Sequence, residues 1–328
     1  MGSVSIDLSL ANIWQSWQKF RRGKRKSKEL EHFQYYVEEN LRTLHDELNG
    51  GIYRHGGYRK FIVHDNKRRE VAVASIRDRV VHRLAYEYLV LVYDKMFIYD
   101  AWSCRKKKGL VDAIERTQSF LGRFPCCFVW RSDIKKFFDH VDHEVLTDIL
   151  RFRVADPQAL YLLTEIIRSH SVITGKIGSA RKKGIPIGNL TSQIFANIYL
   201  HEFDRFMKHD IKPLAYARYG DDFVVLSDTT NLLFRIKEEA TAFLKERLRL
   251  EINAKHDRIV KARQGLKFLG MEIFPKGRRL NKRNWQRVTS RLQLTNISSY
   301  SGLVEKHSTK KRMKEFDWIA LEKLNGMI

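Results

Sequence analysis

Apolar residues recur along this chain at two periods, and the change between them divides it. Phe33, Val37, Leu41, Leu44 and Leu48 repeat at helical spacing until Asn49-Gly50-Gly51, which predicts one helix ending at that turn. Segments 58–63 and 69–74 read as two strands around a turn at 64–67, and Val80, Leu84, Tyr88 and Leu91 mark the next helix. In the middle, 126–129 is an apolar strand running into Asp133, and Asp142 caps a helix whose apolar face is Val145, Leu146, Ile149 and Leu150. A helix over 191–206 carries Ile194, Phe195, Ile198 and Tyr199, and 216–226 reads as strand, tight turn, strand. Leu233, Ile236, Phe243, Leu244 and Leu248 mark one more helix, before a strand pair over 267–274. The order strand–helix–hairpin–helix–strand predicts an α+β fold around a split βαβ antiparallel sheet. The last 50 residues read as helical, with Trp285, Leu292, Leu294, Tyr300 and Trp318 as a small core.

Charge narrows the class. Lys and Arg number 61 against 38 Asp and Glu, and the resulting +23 calls for a polyanionic partner such as nucleic acid. Hydrophobic residues at 43% suffice for a real core, so the charge does not signal a disordered tail. Seven cations fall between Lys19 and Lys28. Cys104, Cys126 and Cys127 cannot build a disulfide framework, no CxxC metal spacing occurs, and the Cys126-Cys127 pair is expected in the core. No apolar run approaches the roughly 18 residues of a membrane span, and residues 1–10 lack a basic start followed by an apolar stretch. Secreted and membrane classes are thus excluded and a cytoplasmic location is expected, so the sequons at Asn189 and Asn296 carry no weight.

The sharpest chemistry is acidic. Asp221-Asp222 sit at the tip of a hairpin between strand formers, and Asp133 ends an apolar strand. Like charges this close disfavour joint ionisation unless a cation neutralises them. Three carboxylates at strand ends match a two-metal phosphoryl-transfer site, with hard Mg²⁺ as the fitting ion.

Ser132-Asp133-Ile134-Lys135-Lys136-Phe137-Phe138-Asp139, the segment Gly184-Ile185-Pro186-Ile187-Gly188-Asn189-Leu190-Thr191-Ser192-Gln193 and Tyr219-Gly220-Asp221-Asp222 stand in the order and spacing of a reverse transcriptase palm. Ser75-Ile76-Arg77-Asp78-Arg79-Val80-Val81-His82 resembles the fingers signature of group II intron and related bacterial enzymes. Leu250–Lys255 resembles the lysine-bearing motif after the catalytic hairpin, and Phe268-Leu269-Gly270 the primer grip. The resemblance covers about residues 50–275. It implies a right-hand polymerase: an N-terminal extension and fingers over 1–124, a palm over 125–276 with an insertion at about 151–200, and a helical thumb over 277–328.

Residue by residue, the resemblance implies that Asp133, Asp221 and Asp222 hold two Mg²⁺ ions, with the Ile134 carbonyl completing one shell. Phe138 matches the steric gate that favours dNTPs over ribonucleotides, and Lys60 and Arg69 match the triphosphate clamp. Lys255 is placed to protonate pyrophosphate, or it is an exposed structural lysine. Ile187 and Gln193 replace the Gln and Pro usual in the template–nucleotide motif. This Ile-Gly-Asn-Leu-Thr-Ser-Gln stretch looks like the reverse transcriptases of diversity-generating retroelements, which copy a template RNA with errors opposite adenine. Isoleucine supplies apolar shape but no hydrogen bond there, which would loosen discrimination between pairs; the plain alternative is a core filler. Residues 298–307 resemble the thumb of short bacterial reverse transcriptases.

Lys276, Arg278, Arg279, Lys282 and Arg283, with Trp285 among them, would follow a nucleic-acid backbone. Implied partners are the template RNA, its RNA–cDNA duplex, structured RNA flanking the template and a small basic accessory variability protein. Alternatives are another short bacterial reverse transcriptase (defence-, retron- or CRISPR-associated), an RNA-dependent RNA polymerase, a template-free nucleotide-adding polymerase, and a non-catalytic RNA-binding protein. Asn253-Ala254-Lys255-His256 matches retron letters, but it follows the catalytic hairpin instead of preceding the first carboxylate.

Overall fold

A computed structural model of the chain describes residues 4–64, 68–174 and 181–325. It begins with α1 (Leu10–Arg21), α2 (Lys28–Tyr35), α3 (Val37–Asn49), the hairpin β1 (Tyr58–His64) and β2 (Arg68–Ala74), and α4 (Ile76–Tyr93). There follow α5 (Leu110–Arg123), β3 (Phe128–Asp133), α6 (Phe137–His140), α7 (His143–Arg153), α8 (Pro157–Arg168), β4 (Val172–Thr174), β5 (Arg181–Lys183) and α9 (Leu190–Arg205). Next come β6 (Ala215–Tyr219), β7 (Asp222–Ser227), α10 (Thr230–Arg247), β8 (Arg258–Lys261), β9 (Leu266–Phe268), β10 (Met271–Phe274) and β11 (Gly277–Leu280). Three helices close the chain: α11 (Lys282–Ser290), α12 (Ile297–His307) and α13 (Lys310–Asn325). The expected turn at 64–67 falls mostly outside the described residues. Among the described residues no helix is long and apolar enough to cross a membrane.

The chain forms two compact units, each assembled from separated segments: 1–98, 135–205 and 242–251 in one, and 99–134, 206–241 and 252–328 in the other. This partition cuts across the contiguous bounds at 124 and 276 drawn from the sequence.

The second unit is built on an antiparallel sheet ordered β6-β7-β3-β8, the expected split βαβ arrangement. Val129, Trp130, Val224, Val225 and Leu226 are fully buried, so both faces of its central strands are covered. That explains why these strands read as continuous apolar runs. β3 begins at Phe128, one residue beyond a buried Cys127, whose thiol burial pushes up to about 11; Cys126 is exposed, contrary to its expected core position. A second sheet, β9-β10-β11, includes a strand the pattern hid, since Arg278 and Arg279 interrupt its apolar character. Beyond it, Trp285, Val288, Leu292, Val304, Phe316 and Ala320 are buried, whereas the expected core residues Leu294 and Trp318 are 56% and 68% exposed. Helical phase decides this: Phe316 and Ala320, four residues apart, share one face of α13, and Trp318 falls off it.

In the first unit, α1 and α9 pack on α4, whose Val80, Val81, Leu84, Ala85 and Leu89 are buried. The helix predicted through Phe33 and Leu48 is two helices. Tyr36, at φ −102° and ψ 30°, leaves the helical conformation, and Asn40 Nδ2 donates to the Phe33 carbonyl across the break at 3.1 Å.

A buried polar cluster ties this unit's segments together. Asp78 is 1% exposed, yet it accepts from Tyr53 Oη (2.8 Å), Ser75 Oγ (2.8 Å), the Gly56 N–H (3.1 Å) and Arg77 Nη1 (3.1 Å). Beside it, His55 Nδ1 lies 2.6 Å from the Gly56 carbonyl, His55 Nε2 2.9 Å from His82 Nε2, and His82 Nδ1 3.3 Å from Thr191 Oγ1. With both rings neutral, one proton arrangement satisfies every contact. A carbonyl only accepts, so His55 Nδ1 donates to Gly56, His82 Nε2 donates to His55, and Thr191 donates to His82. Burial, reinforced by the neighbouring His55, pushes the His82 pKa down to about 3. A histidine depressed on folding contributes stability that is present above its unfolded value of 6.5 and lost as pH falls from there toward about 3. Urea denaturation of wild type and His82→Gln across that range should therefore show the wild type losing stability more steeply on acidification. Equal pH slopes would exclude a neutral, buried His82.

Candidate active site

The acidic residues converge through strand register. β3 and β7 run antiparallel with Asp133 directly opposite Asp222, so their side chains emerge on one face. β6 and β7 are joined by Gly220 and Asp221, between the paired Tyr219 and Asp222. Gly220 has φ +65°, the positive angle that the first residue of a type II′ hairpin turn requires. Arg218, almost fully buried, donates from Nη1 to the Gly220 carbonyl at 2.8 Å and braces that turn from within. The other end of the pair is fixed too: Asn253 N–H donates to the Asp133 carbonyl at 2.9 Å, and Ile134 bridges to Ile252.

Burial gives Asp222 unusual electrostatics. Asp222 is pushed above the usual carboxylate range by burial, with Asp133 adding repulsion and Arg131 and His256 pulling the other way. Arg131 Nη2 donates to Asp222 Oδ1 at 2.5 Å, and His256 Nδ1 lies 2.5 Å from Asp133 Oδ2. Asp133 Oδ1 is buried with no hydrogen-bond partner. Among the described residues no three His, Cys, Asp or Glu side chains stand arranged as a metal cage. The donor set nevertheless suits a hard divalent cation: acidic oxygens at adjoining strand ends, one of them buried and unsatisfied.

Phe138, Ile187, Gln193, Lys60 and Arg69 belong to the other unit. Phe137 is buried, with ring centroids 5.4 Å from Phe138 and 6.3 Å from Tyr199, while Phe138 is half-buried. The Phe138 carbonyl accepts from Ile185 N–H at 2.8 Å, tying the gate candidate to the template–nucleotide segment. That segment is clamped to β2: the Ile187 carbonyl accepts from Ala72 N–H at 3.1 Å, and Asn189 Nδ2 donates to the Ala72 carbonyl at 2.7 Å. Gly188 between them has φ +111°, and a Cβ there would stand 2.7 Å from Val71 Cγ1, so glycine is required. Ile187 is half-buried, and Gln193 is exposed in the first turn of α9. Lys60 pairs with Glu70 at 2.9 Å across the β1–β2 hairpin, and Arg69 is exposed opposite Val63.

Lys255 is exposed and lines a cavity of about 510 Å³ together with Arg131, His256, Arg258 and Lys267. The primer-grip segment is a two-residue turn in which Leu269 (φ +49°) and Gly270 (φ +81°) are both left-handed, as a type I′ hairpin demands, and Phe268 beside them is buried. A Cβ on Gly270 would meet Asn284 Nδ2, which donates to the Gly270 carbonyl at 3.0 Å. Of the basic stripe, Lys276, Lys282 and Arg283 are exposed, and Arg279 pairs with Glu272 at 2.7 Å. Arg278 instead turns inward, donating to Gln118 (2.8 Å), Glu115 (2.9 Å) and His307 (3.0 Å). Trp285 is buried with Arg312 over its ring, so it packs and offers no base-stacking face. Sequence reasoning missed Arg131, Arg218 and His256. Arg131 alone left a signal, lying two residues before Asp133 and hence on the same strand face.

Comparison with known proteins agrees with this arrangement. The family model for reverse transcriptase (RNA-dependent DNA polymerase) matches residues 59–273. Protein YkfC of Escherichia coli is 26% identical over 273 residues, 72% of this chain and 71% of that protein. The group II intron-encoded protein LtrA of Lactococcus lactis is 20% identical over 303 residues, 73% of this chain and 50% of LtrA. The chain therefore spans half the length of LtrA. Among solved structures, a telomerase from Candida albicans in complex with a fragment of telomeric RNA shares the fold with a TM-score of 0.51 at 13% identity, covering 90% of this chain and 60% of that one. Apo telomerase from Candida tropicalis gives a TM-score of 0.51 at 11% identity, covering 82% and 57%. With two thirds of its length inside the family model and carboxylates at the palm strand ends, the chain belongs to the reverse transcriptase (RNA-dependent DNA polymerase) family.

Proposed function

We propose that this chain copies a template RNA into cDNA as the reverse transcriptase of a diversity-generating retroelement, misincorporating mainly opposite adenine. The observation that carries the reading is Ile187. It sits in the template–nucleotide segment, and its own backbone and Asn189 are hydrogen-bonded to β2, so its position is firm while its side chain offers no hydrogen bond. A rigid apolar contact rewards shape alone, and shape separates a correct from an incorrect pair less well than a hydrogen bond does.

Asp133, Asp221 and Asp222 would hold divalent metal ions, Mg²⁺ by their hard oxygens, with the Ile134 carbonyl alongside; bound there, such ions activate the attacking hydroxyl and stabilise the leaving oxygen. The opposed Asp133 and Asp222 maintain the negative field for this task. Exposed Lys255 is the candidate donor of a proton to the leaving pyrophosphate. Phe138, held by the Ile185 bond and by Phe137, would exclude a ribose 2′-OH and so admit dNTPs. Arg69 is the better clamp candidate, since Lys60 is already paired with Glu70. Lys276, Arg279, Lys282 and Arg283 would follow the RNA–cDNA duplex. Structured RNA around the template and a small basic accessory protein are the proposed partners, and the bacterial cytoplasm the proposed location.

Primer extension on a mixed-sequence RNA template, followed by product sequencing, tests the proposal. Asp221→Ala/Asp222→Ala should abolish cDNA synthesis, by three or more orders of magnitude. Wild-type errors should concentrate opposite adenine, and Ile187→Gln should lower that rate several-fold. Faithful wild-type cDNA would reject the diversity-generating assignment and leave the polymerase.

Competition between dNTPs and rNTPs tests the gate separately. Phe138→Ala should raise rNTP incorporation by at least about tenfold while dNTP use changes less. An unchanged ratio would remove Phe138 from sugar selection.

A further inference from the structure

Asp222 and Asp133, both proposed metal ligands, are already engaged by basic side chains, and the sheet explains why. Arg131 precedes Asp133 by two residues on β3, so both emerge on the same face. Its register partner on β7 is Val224, one same-face step from Asp222, which puts Arg131 diagonally across from that carboxylate. On its other side it faces Arg258 of β8. Its Nη2 donates to Asp222 Oδ1 at 2.5 Å, with the Arg131 side chain 19% exposed and that of Asp222 27% exposed. His256, carried by the segment whose Asn253 N–H grips the Asp133 carbonyl, engages Asp133 Oδ2 at 2.5 Å. One acidic oxygen of the facing pair, Asp133 Oδ1, is left buried and unsatisfied.

We propose that Arg131 is a tethered counter-cation that competes with divalent metal for Asp222 and thereby sets the metal affinity of the carboxylate site. The inference deepens the polymerase reading and rests on it for the identity of the metal ligands. Two facing carboxylates in a half-buried site repel each other and draw in any cation within reach. A guanidinium stays charged at any ordinary pH, and that of Arg131 already holds Asp222 Oδ1. The same charge withholds a lone pair from an incoming metal and repels it from a distance at which Coulomb forces stay large. His256 is the complementary positioning residue: by holding Oδ2 it leaves Asp133 Oδ1 as that residue's unspent ligand atom.

The test is Mn²⁺ binding to the full chain at pH 8 without nucleotide, read by electron paramagnetic resonance of free Mn²⁺. Arg131→Gln should bind Mn²⁺ about tenfold more tightly than wild type, and Arg131→Lys, which keeps the charge, should stay near wild type. A merely structural arginine would give the opposite sign, because a loosened site binds metal worse. Unchanged or weaker binding by a folded Arg131→Gln overturns the proposal. Should that variant not fold, [¹⁵N]arginine spectra of wild type decide. A guanidinium signal absent from Arg131→Lys should move over the same Mg²⁺ range in which metal binds, and a static signal overturns the proposal. Mn²⁺ affinity that survives Asp222→Ala would overturn the ligand assignment itself, an outcome distinct from failure of the Arg131 role alone.

Discussion

The constraint on which this molecule turns is the direct opposition of Asp133 and Asp222 across two strands of a sheet buried on both faces. Nothing about burial favours that pairing, since it costs desolvation and repulsion together. Much of the second unit can be understood as what makes the opposition tolerable. Arg218 braces the Gly220 turn, Asn253 and Ile252 pin the end of β3, Arg131 offsets the charge of Asp222, and His256 hydrogen-bonds Asp133. Val129, Trp130, Val224 and Val225, buried on the same two strands, supply the apolar contact that offsets the electrostatic cost. The sheet carries this unfavourable feature at the ends of its two central strands.

The first unit solves a different problem by similar means. Its template–nucleotide segment is irregular backbone, yet Ala72, Ala74, Ile187 and Asn189 exchange hydrogen bonds as if the segment were part of the β1–β2 hairpin. Thr191, one turn of chain later, closes the His55–His82 relay on α4. The Ile187 backbone is therefore held by hydrogen-bonded neighbours.

How much of this was legible in the sequence depended on whether a local signal existed. β3, β6 and β7 were readable because sheets buried on both faces leave uninterrupted apolar runs, and Asp142 was readable as a cap because capping is a short-range interaction, here to Glu144 and Val145 N–H. The split between α2 and α3 was not readable, because Phe33 and Leu41 keep helical phase across Tyr36, so the apolar pattern runs through the break. The C-terminal core was half right for the same reason. Trp285 and Leu292 are buried, but Leu294 and Trp318 lost to Phe316 and Val304, and a helix with apolar residues on several faces does not announce which one it buries.

The charged residues carry the sharper lesson. A cation in sequence looks the same whether it meets a phosphate, a carboxylate in a neighbouring strand, or water. Arg278 sits in a stripe suited to nucleic acid, yet it spends its donors on Glu115, Gln118 and His307 inside the unit. Arg131 sits in an apolar strand where its spacing from Asp133 is the sole hint of a role, yet it meets a carboxylate of the site. What separates them is the identity of the nearest acceptor, which register and packing decide. A net charge of +23 thus establishes that the surface favours a polyanion, while it leaves open which cations serve that surface and which serve the fold. The family assignment is untouched by this ambiguity because it rests on the match over residues 59–273 and not on the assignment of any single cation.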